Sequence, residues 1–253
     1  MPCSIEIPLD KRQVERLPRN AIPALHANFF RWIEESDPVL ARELDRAQGA
    51  KPFTVSPLFV EQEWASFRVT LLQDALFDHL EAGMQKRPWV NVLGDDMPIS
   101  GPLSVVATTY PLLASESAAS GRFILRFRSP VSFRRNGKDY PLPEPELVFD
   151  SYRRRWNEFG PEALRIGDEW LAWVRECIAI SRFDLHTVPM RFPDGLQIGC
   201  VGRVQFEVIG AGARDSAALQ ILAELVEYAF YCGTGRKTTQ GMGQTQRLGE
   251  WDG

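Results

Sequence analysis

Among the 253 residues, proton chemistry near neutral pH falls to three histidines, His26, His79 and His186. An imidazole titrates close to neutrality, so it can take or give a proton where a carboxylate or ammonium cannot. His26 lies in the first helical stretch, at the margin of its apolar stripe. That position suits either a base facing a cleft or a histidine packed beside Phe30 or Trp32. His79 falls on an exposed-looking helix and His186 inside a strand pattern, both structural placements. Cys3, Cys177, Cys200 and Cys232 are scattered without C-x-x-C spacing. A metal site needs clustered thiolates or imidazoles, so neither a metal nor a cofactor is expected.

A second chemistry is anion binding. Gly233-Thr-Gly-Arg-Lys-Thr-Thr-Gln-Gly-Met-Gly243 combines four glycines with polar and basic residues. Glycine permits positive φ and close backbone approach, so successive amides can face an anion. Gly233, Gly235, Arg236, Lys237, Thr238, Gln240, Gly241 and Gly243 are the candidate contacts. A side chain at Gly235 or Gly241 is then expected to block an approaching anion and leave the fold intact. A nucleotide-binding P-loop is excluded, because Arg236 stands where that motif needs glycine before Lys237, and the loop follows a helix rather than a strand. A ligand-free glycine turn is the plain alternative.

The third feature is charge. The chain has net charge −4, which argues against a uniformly basic nucleic-acid binder. Residues 121–160 nevertheless hold nine Arg or Lys against five acids, a local +4. A local basic face can bind phosphate where the average cannot. Arg134, Arg135 and Lys138 flank Asn136-Gly137, a hairpin-turn signal. Arg153, Arg154 and Arg155 are about 100° apart on a helix, so only some face one way; Arg153 is the candidate phosphate contact. A solvated hairpin and helix surface is the alternative.

The elements that must position these groups follow a repeated order. SIEIPL alternates as a strand, Asn20 is placed to cap the helix that carries His26, and Asp37-Pro38 opens a shorter helix. PFTVSPLF and WASFRVTLL are strands, DALFDHLEAGMQKR a helix and PLSVVATTYPL a closing strand. This β-α-β-β-α-β order is the ferredoxin-like unit. SESAASG (115–121) is the linker candidate. RFILRFRS, the helices ELVFDSYRRRWNEF and PEALRIGDEWLAWVRECIAI, two strands split by Pro-Asp-Gly, a buried helix and the strand TQRL then repeat the pattern. The expected fold is α+β, two tandem ferredoxin-like domains over 1–118 and 119–253. No apolar run approaches the roughly 20 residues of a membrane span, and the N-terminus lacks signal-peptide order. A cytoplasmic protein without membrane partners is expected.

Four segments in order, KPFTVSPL (51–58), FRSPVSFRRNGKDYPLPEPELVFDSYRRRWNEF (127–159), GCVGRVQFEV (199–208) and the glycine-rich loop (233–243), resemble the CRISPR precursor-RNA-processing endoribonucleases of the RAMP superfamily, the Cas-six type. The resemblance spans nearly the whole chain. It implies CRISPR repeat RNA, in the form of precursor crRNA, as partner, and possible membership of an effector complex. It further implies metal-independent cleavage by 2′-OH attack, leaving a 2′,3′-cyclic phosphate and a 5′-OH. Many members of the family place a histidine about six residues before the lysine of the KPFTVS segment and a tyrosine in the first helix. Here these positions are Asp45 and Phe29-Phe30, while Lys51 is retained. The reading that results makes His26 the base and Lys51 the cation on the phosphate. A catalytically silent crRNA-binding subunit is the alternative that the missing histidine raises. An unrelated tandem ferredoxin-like enzyme or small-molecule sensor is a third.

Overall fold

The structure is a computed structural model that describes residues 1–14, 21–62, 64–92 and 94–251. The expected cap at Asn20 lies outside the described residues. The chain divides into two compact units, residues 1–108 with 239–241, and 109–238 with 242–253.

The first unit runs β1 (Cys3–Leu9), α1 (Lys11–Val14), α2 (Ile22–Ser36), α3 (Pro38–Arg46), β2 (Phe53–Val55), β3 (Phe59–Val60), β4 (Ala65–Leu71), α4 (Ala75–Lys86), β5 (Trp89–Val92), β6 (Asp95–Pro98) and β7 (Ser104–Ala107). Its antiparallel sheet is ordered β2-β4-β1-β7, with β3 also pairing β4. This is the ferredoxin-like order, in which the first and third main strands lie at the centre. Ile5, Ile7, Phe67 and Val69 of the central strands and Leu25, Phe29, Trp32 and Ile33 of α2 are buried together. Trp32 stacks on Phe67, and Asn28 binds the backbone of Asn91 through both ends of its amide, which fixes α2 against β5. Gly83 lets α4 pass close to α2, since a Cβ there would lie 1.8 Å from the Trp32 carbonyl oxygen.

The second unit runs α5 (Tyr110–Glu116), β8 (Arg122–Val131), β9 (Phe133–Arg135), β10 (Lys138–Tyr140), α6 (Pro145–Phe159), α7 (Asp168–Cys177), β11 (Ile178–Phe192), β12 (Gly195–Val208), α8 (Ser216–Cys232) and β13 (Thr245–Leu248). Sheet order β11-β12-β8-β13 repeats the ferredoxin-like arrangement. Phe123, Phe149 and Phe206 form its aromatic centre, with ring centroids 5.3–5.6 Å apart. The fold is thus α+β, two ferredoxin-like units in tandem, as the sequence pattern predicts. No described helix is long and apolar enough to cross a membrane.

Three local readings change. Tyr110–Glu116 is a helix rather than the end of a strand, because Thr109 caps the Leu112 amide and Pro111 sits in the first turn. Gln220 of α8 holds the carbonyls of Ala114 and Ser117, so α5 packs with the second unit and the units part at 108/109 rather than at the expected 118/119. Ile178-Ala179-Ile180 leaves the predicted helix for β11, where it pairs Val208, Glu207 and Phe206; β-branched residues favour that ladder over a helix end.

Candidate active site and nucleic-acid interface

In the first unit α2 presents His26 and Phe30, and β2 presents Phe53. The His26 ring lies 5.1 Å from Phe30 and 6.1 Å from Phe53, centroid to centroid. Its Nδ1 is 2.8 Å from the carbonyl oxygen of Thr239. A carbonyl oxygen only accepts, so Nδ1 carries the proton and donates it. In the neutral ring the lone pair therefore sits on Nε2. Burial holds the imidazole below its ordinary range, and the Thr239 hydrogen bond opposes this; the Lys51 charge lowers it further while Asp45 raises it. The ring is thus neutral at pH 7, the form in which Nε2 accepts a proton.

Lys51 also lies over Phe30, its Nζ 5.9 Å from that ring's centroid. It donates to the carbonyls of Leu44 and Asp45, the latter at 2.8 Å, and so closes the C-terminal end of α3. An ammonium has three donors, so one is left beyond these two bonds. Asp45 itself is exposed, and its charge reaches both His26 and Lys51. The two residues assigned acid–base and electrostatic roles thus both approach Phe30, while the Asp45 side chain is exposed to solvent. Among the described residues no three His, Cys, Asp or Glu side chains converge as metal ligands.

The second unit holds most of the glycine-rich loop, and here the geometry differs from expectation. The amides of Gly233, Thr234, Gly235, Arg236, Met242 and Gly243 all donate within the protein, to Ala229 O, Gly243 O, Ser151 Oγ, Ser132 O, Lys237 O and Pro130 O. Gly241, which belongs with the first unit, donates to Val55 O. A Cβ on Gly235 would sit 2.3 Å from Ser132 O, and one on Gly243 2.3 Å from Thr234 O. Those glycines serve the chain's own close packing, so the expected open row of anion-facing amides is corrected. Thr238 to Gln240 form a short 3-10 turn, with Thr238 buried and Gln240 half-buried. Beneath the loop a hydroxyl chain runs from Tyr152 to Thr234 to Thr245, at 2.5 and 2.6 Å.

Of the three consecutive arginines, Arg153 turns inward. Its guanidinium binds Asp150, Asp168 and the Ile166 carbonyl, and its side chain is 14% exposed. Arg153 is therefore a structural link rather than an outward phosphate contact. Arg154 is exposed and paired with Asp150. Arg155 reaches the loop, donating to Gly235 O at 2.7 Å and Thr238 Oγ1 at 3.3 Å. Sequence reasoning counted Arg155 without singling it out; the signal was its place one helical turn beyond Ser151, which also holds the loop. The β9–β10 hairpin turns at Asn136-Gly137, both with positive φ, as its sequence predicts. Arg134 and Arg135 are half-exposed on it, Arg134 near Asp139 and Arg135 bonded to Glu144 and lying over Tyr140.

Two ferredoxin-like units, the second closing on a glycine-rich loop before its last strand, make up the architecture of the described residues. The sequence model of the CRISPR-associated endoribonuclease Cas6 family matches residues 125–245. A Cas6 product complex from Thermus thermophilus matches with TM-score 0.85 and 22% identity, over 98% of this chain and 99% of that one. Another Cas6 product complex gives TM-score 0.80 and 27% identity, over 98% and 100%. A substrate mimic complex of that second Cas6 gives 0.76 and 27%, over 98% and 99%. No curated protein matches the sequence. The family model that matches residues 125–245 is that of the family the four motifs resemble.

Proposed function

We propose that this chain binds CRISPR repeat RNA and cleaves precursor crRNA without a metal ion. The observation that carries the reading is His26, with Nδ1–H fixed on the Thr239 carbonyl and Nε2 left as the proton acceptor. The 2′-oxygen beside the scissile phosphate attacks phosphorus while its proton passes to Nε2. Lys51 offsets the charge that grows on the phosphate oxygens, which is where a fixed cation acts most strongly. The P–O5′ bond breaks, the departing oxygen takes a proton from water or from the imidazolium, and the ends are a 2′,3′-cyclic phosphate and a 5′-OH. The match of residues 125–245 to an endoribonuclease family, with Cas6 product and substrate mimic complexes at 27% identity, supports RNA as the substrate class.

A second reading has its own observation. Asp45 stands where the family often keeps histidine, and Lys51 is engaged with two helix-end carbonyls, which suits a silent crRNA-binding subunit. The deciding experiment incubates purified protein with labelled repeat RNA in EDTA. Cleavage to a 2′,3′-cyclic phosphate end is expected. Binding without cleavage, in EDTA and with added magnesium alike, selects the silent subunit, and absence of binding removes both readings.

A further inference from the structure

The two cations of the glycine-rich loop are both held by carboxylates from hairpins of the same unit. Arg236 Nη1 lies 2.6 Å from Asp139 Oδ1 on β10. Lys237 Nζ lies 2.8 and 2.9 Å from the two oxygens of Asp194, in the turn between β11 and β12, and 4.1 Å from the Phe192 ring centroid. The geometry points to Asp139 and Asp194 as internal competitors that occupy, in the RNA-free protein, the places RNA phosphates take on Arg236 and Lys237, and so set the affinity of the loop. This rests on the RNA-binding reading above.

The chemistry of exchange is direct. Carboxylate and phosphate oxygens are the same kind of acceptor for guanidinium and ammonium groups. The Lys237 side chain is 14% exposed and that of Asp194 is 66% exposed. The pair therefore opens from the aspartate side, by rotation of a turn residue, while Phe192 keeps the ammonium in place. Lys237 is itself at φ +51, between an Arg236 amide bonded to Ser132 O and its own carbonyl, which accepts from the Met242 amide, so its backbone is a fixed base for the exchange. At Asp139 the exchange involves two cations, since Arg134 Nη1 is 3.7 Å from the same oxygen that receives Arg236. A phosphate that displaces Asp139 meets both. Each aspartate thus subtracts from RNA affinity by the strength of the pair it makes, and release of bound RNA is assisted by its return.

The test is a double-mutant cycle read as the Kd for a fluorescein-labelled repeat RNA. Asp194→Asn keeps shape and removes charge, and is expected to tighten binding by about two- to fivefold, the range of an exposed ion pair. In a Lys237→Ala background the same change is expected to have no effect, because nothing remains for Asp194 to compete for. Asp139→Asn is expected to tighten binding as well, with the gain reduced in an Arg236→Ala background and abolished only when Arg134→Ala is added, because both cations face that carboxylate. Asp168→Asn, which neutralises a carboxylate paired with Arg153 in the same unit, reports the general effect of removing one negative charge, expected to be smaller. Weaker binding by Asp194→Asn, or an equal gain with and without Lys237, overturns the proposal while leaving RNA binding intact. Absence of RNA binding by the unaltered protein instead overturns the functional reading on which it stands.

Discussion

The His26 imidazole has its tautomer set by a backbone carbonyl and its protonation set by burial, which are separate controls. The first fixes which nitrogen is basic; the second keeps the ring neutral below the pH where a free histidine would be half charged. The sign follows directly. A base works only unprotonated, and its folded pKa is lowered, so the acid limb of the cleavage profile is expected below pH ~6.5, the ordinary histidine value. His26→Ala should slow single-turnover cleavage by at least about 100-fold, the scale of general base catalysis, with the Kd for RNA nearly unchanged. An acid limb at or above the ordinary histidine value, or full activity in His26→Ala, would assign the proton transfer to another group. Sequence could place this histidine on a helix beside an apolar stripe; it could not supply Thr239, which lies 213 positions later.

At the scale of elements, the glycine-rich loop is a packed structure before it is a binding one. Gly235 (φ +73) lies against Ser132 O, whereas the nearest atoms to a Cβ on Gly241 (φ +86) belong to the Ile22 side chain, at 2.8 Å and beyond. A backbone oxygen fixed in β8's extension cannot yield, but the end of an isoleucine can. Gly235→Ala is therefore expected to destabilise the protein by about 2 kcal/mol or more, and Gly241→Ala by less, seen as a larger fall in thermal midpoint for the former. Equal midpoints for the two variants would mean that positive φ, common to both, is the only cost. This also shows what the sequence could convey. The alternation in β1 and β8, the Asn136-Gly137 turn and the apolar run of α8 are local signals, and the order of elements followed from them. The tight approach of Gly235 to Ser132, the inward turn of Arg153 and the helix at Tyr110 depend on partners or on a cap that periodicity does not register. The glycines were legible as necessary, and the reason for them was not.

On the scale of the whole molecule, an anionic chain is proposed to bind a polyanion, so the attraction must be local and the remaining surface must oppose it. Residues 121–160 carry the +4 segment within the net −4 chain. Much of that charge is already paired, Arg122 with Glu207, Arg135 with Glu144, and Arg153 and Arg154 with Asp150. The exposed pairs among them are weak and exchange readily, so they lower the net gain per phosphate without removing it, whereas Arg153, 14% exposed, stays in its structural pair. The consequence is a binding curve steep in salt with a modest number of effective contacts. Each phosphate neutralised adds about −0.9 to the log–log salt slope for duplex RNA, by analogy with B-DNA, or about −0.7 for single strands. A slope corresponding to about three to five phosphates is expected, up to the number of cations on the β9–β10 hairpin and the loop (Arg134, Arg135, Lys138, Arg236 and Lys237) and below the nine of the segment. The measurement is the Kd for repeat RNA at a series of salt concentrations between about 50 and 300 mM. A flat response would remove the basic surface from recognition altogether. A slope equivalent to nine or more phosphates would mean that the paired arginines are all released on binding.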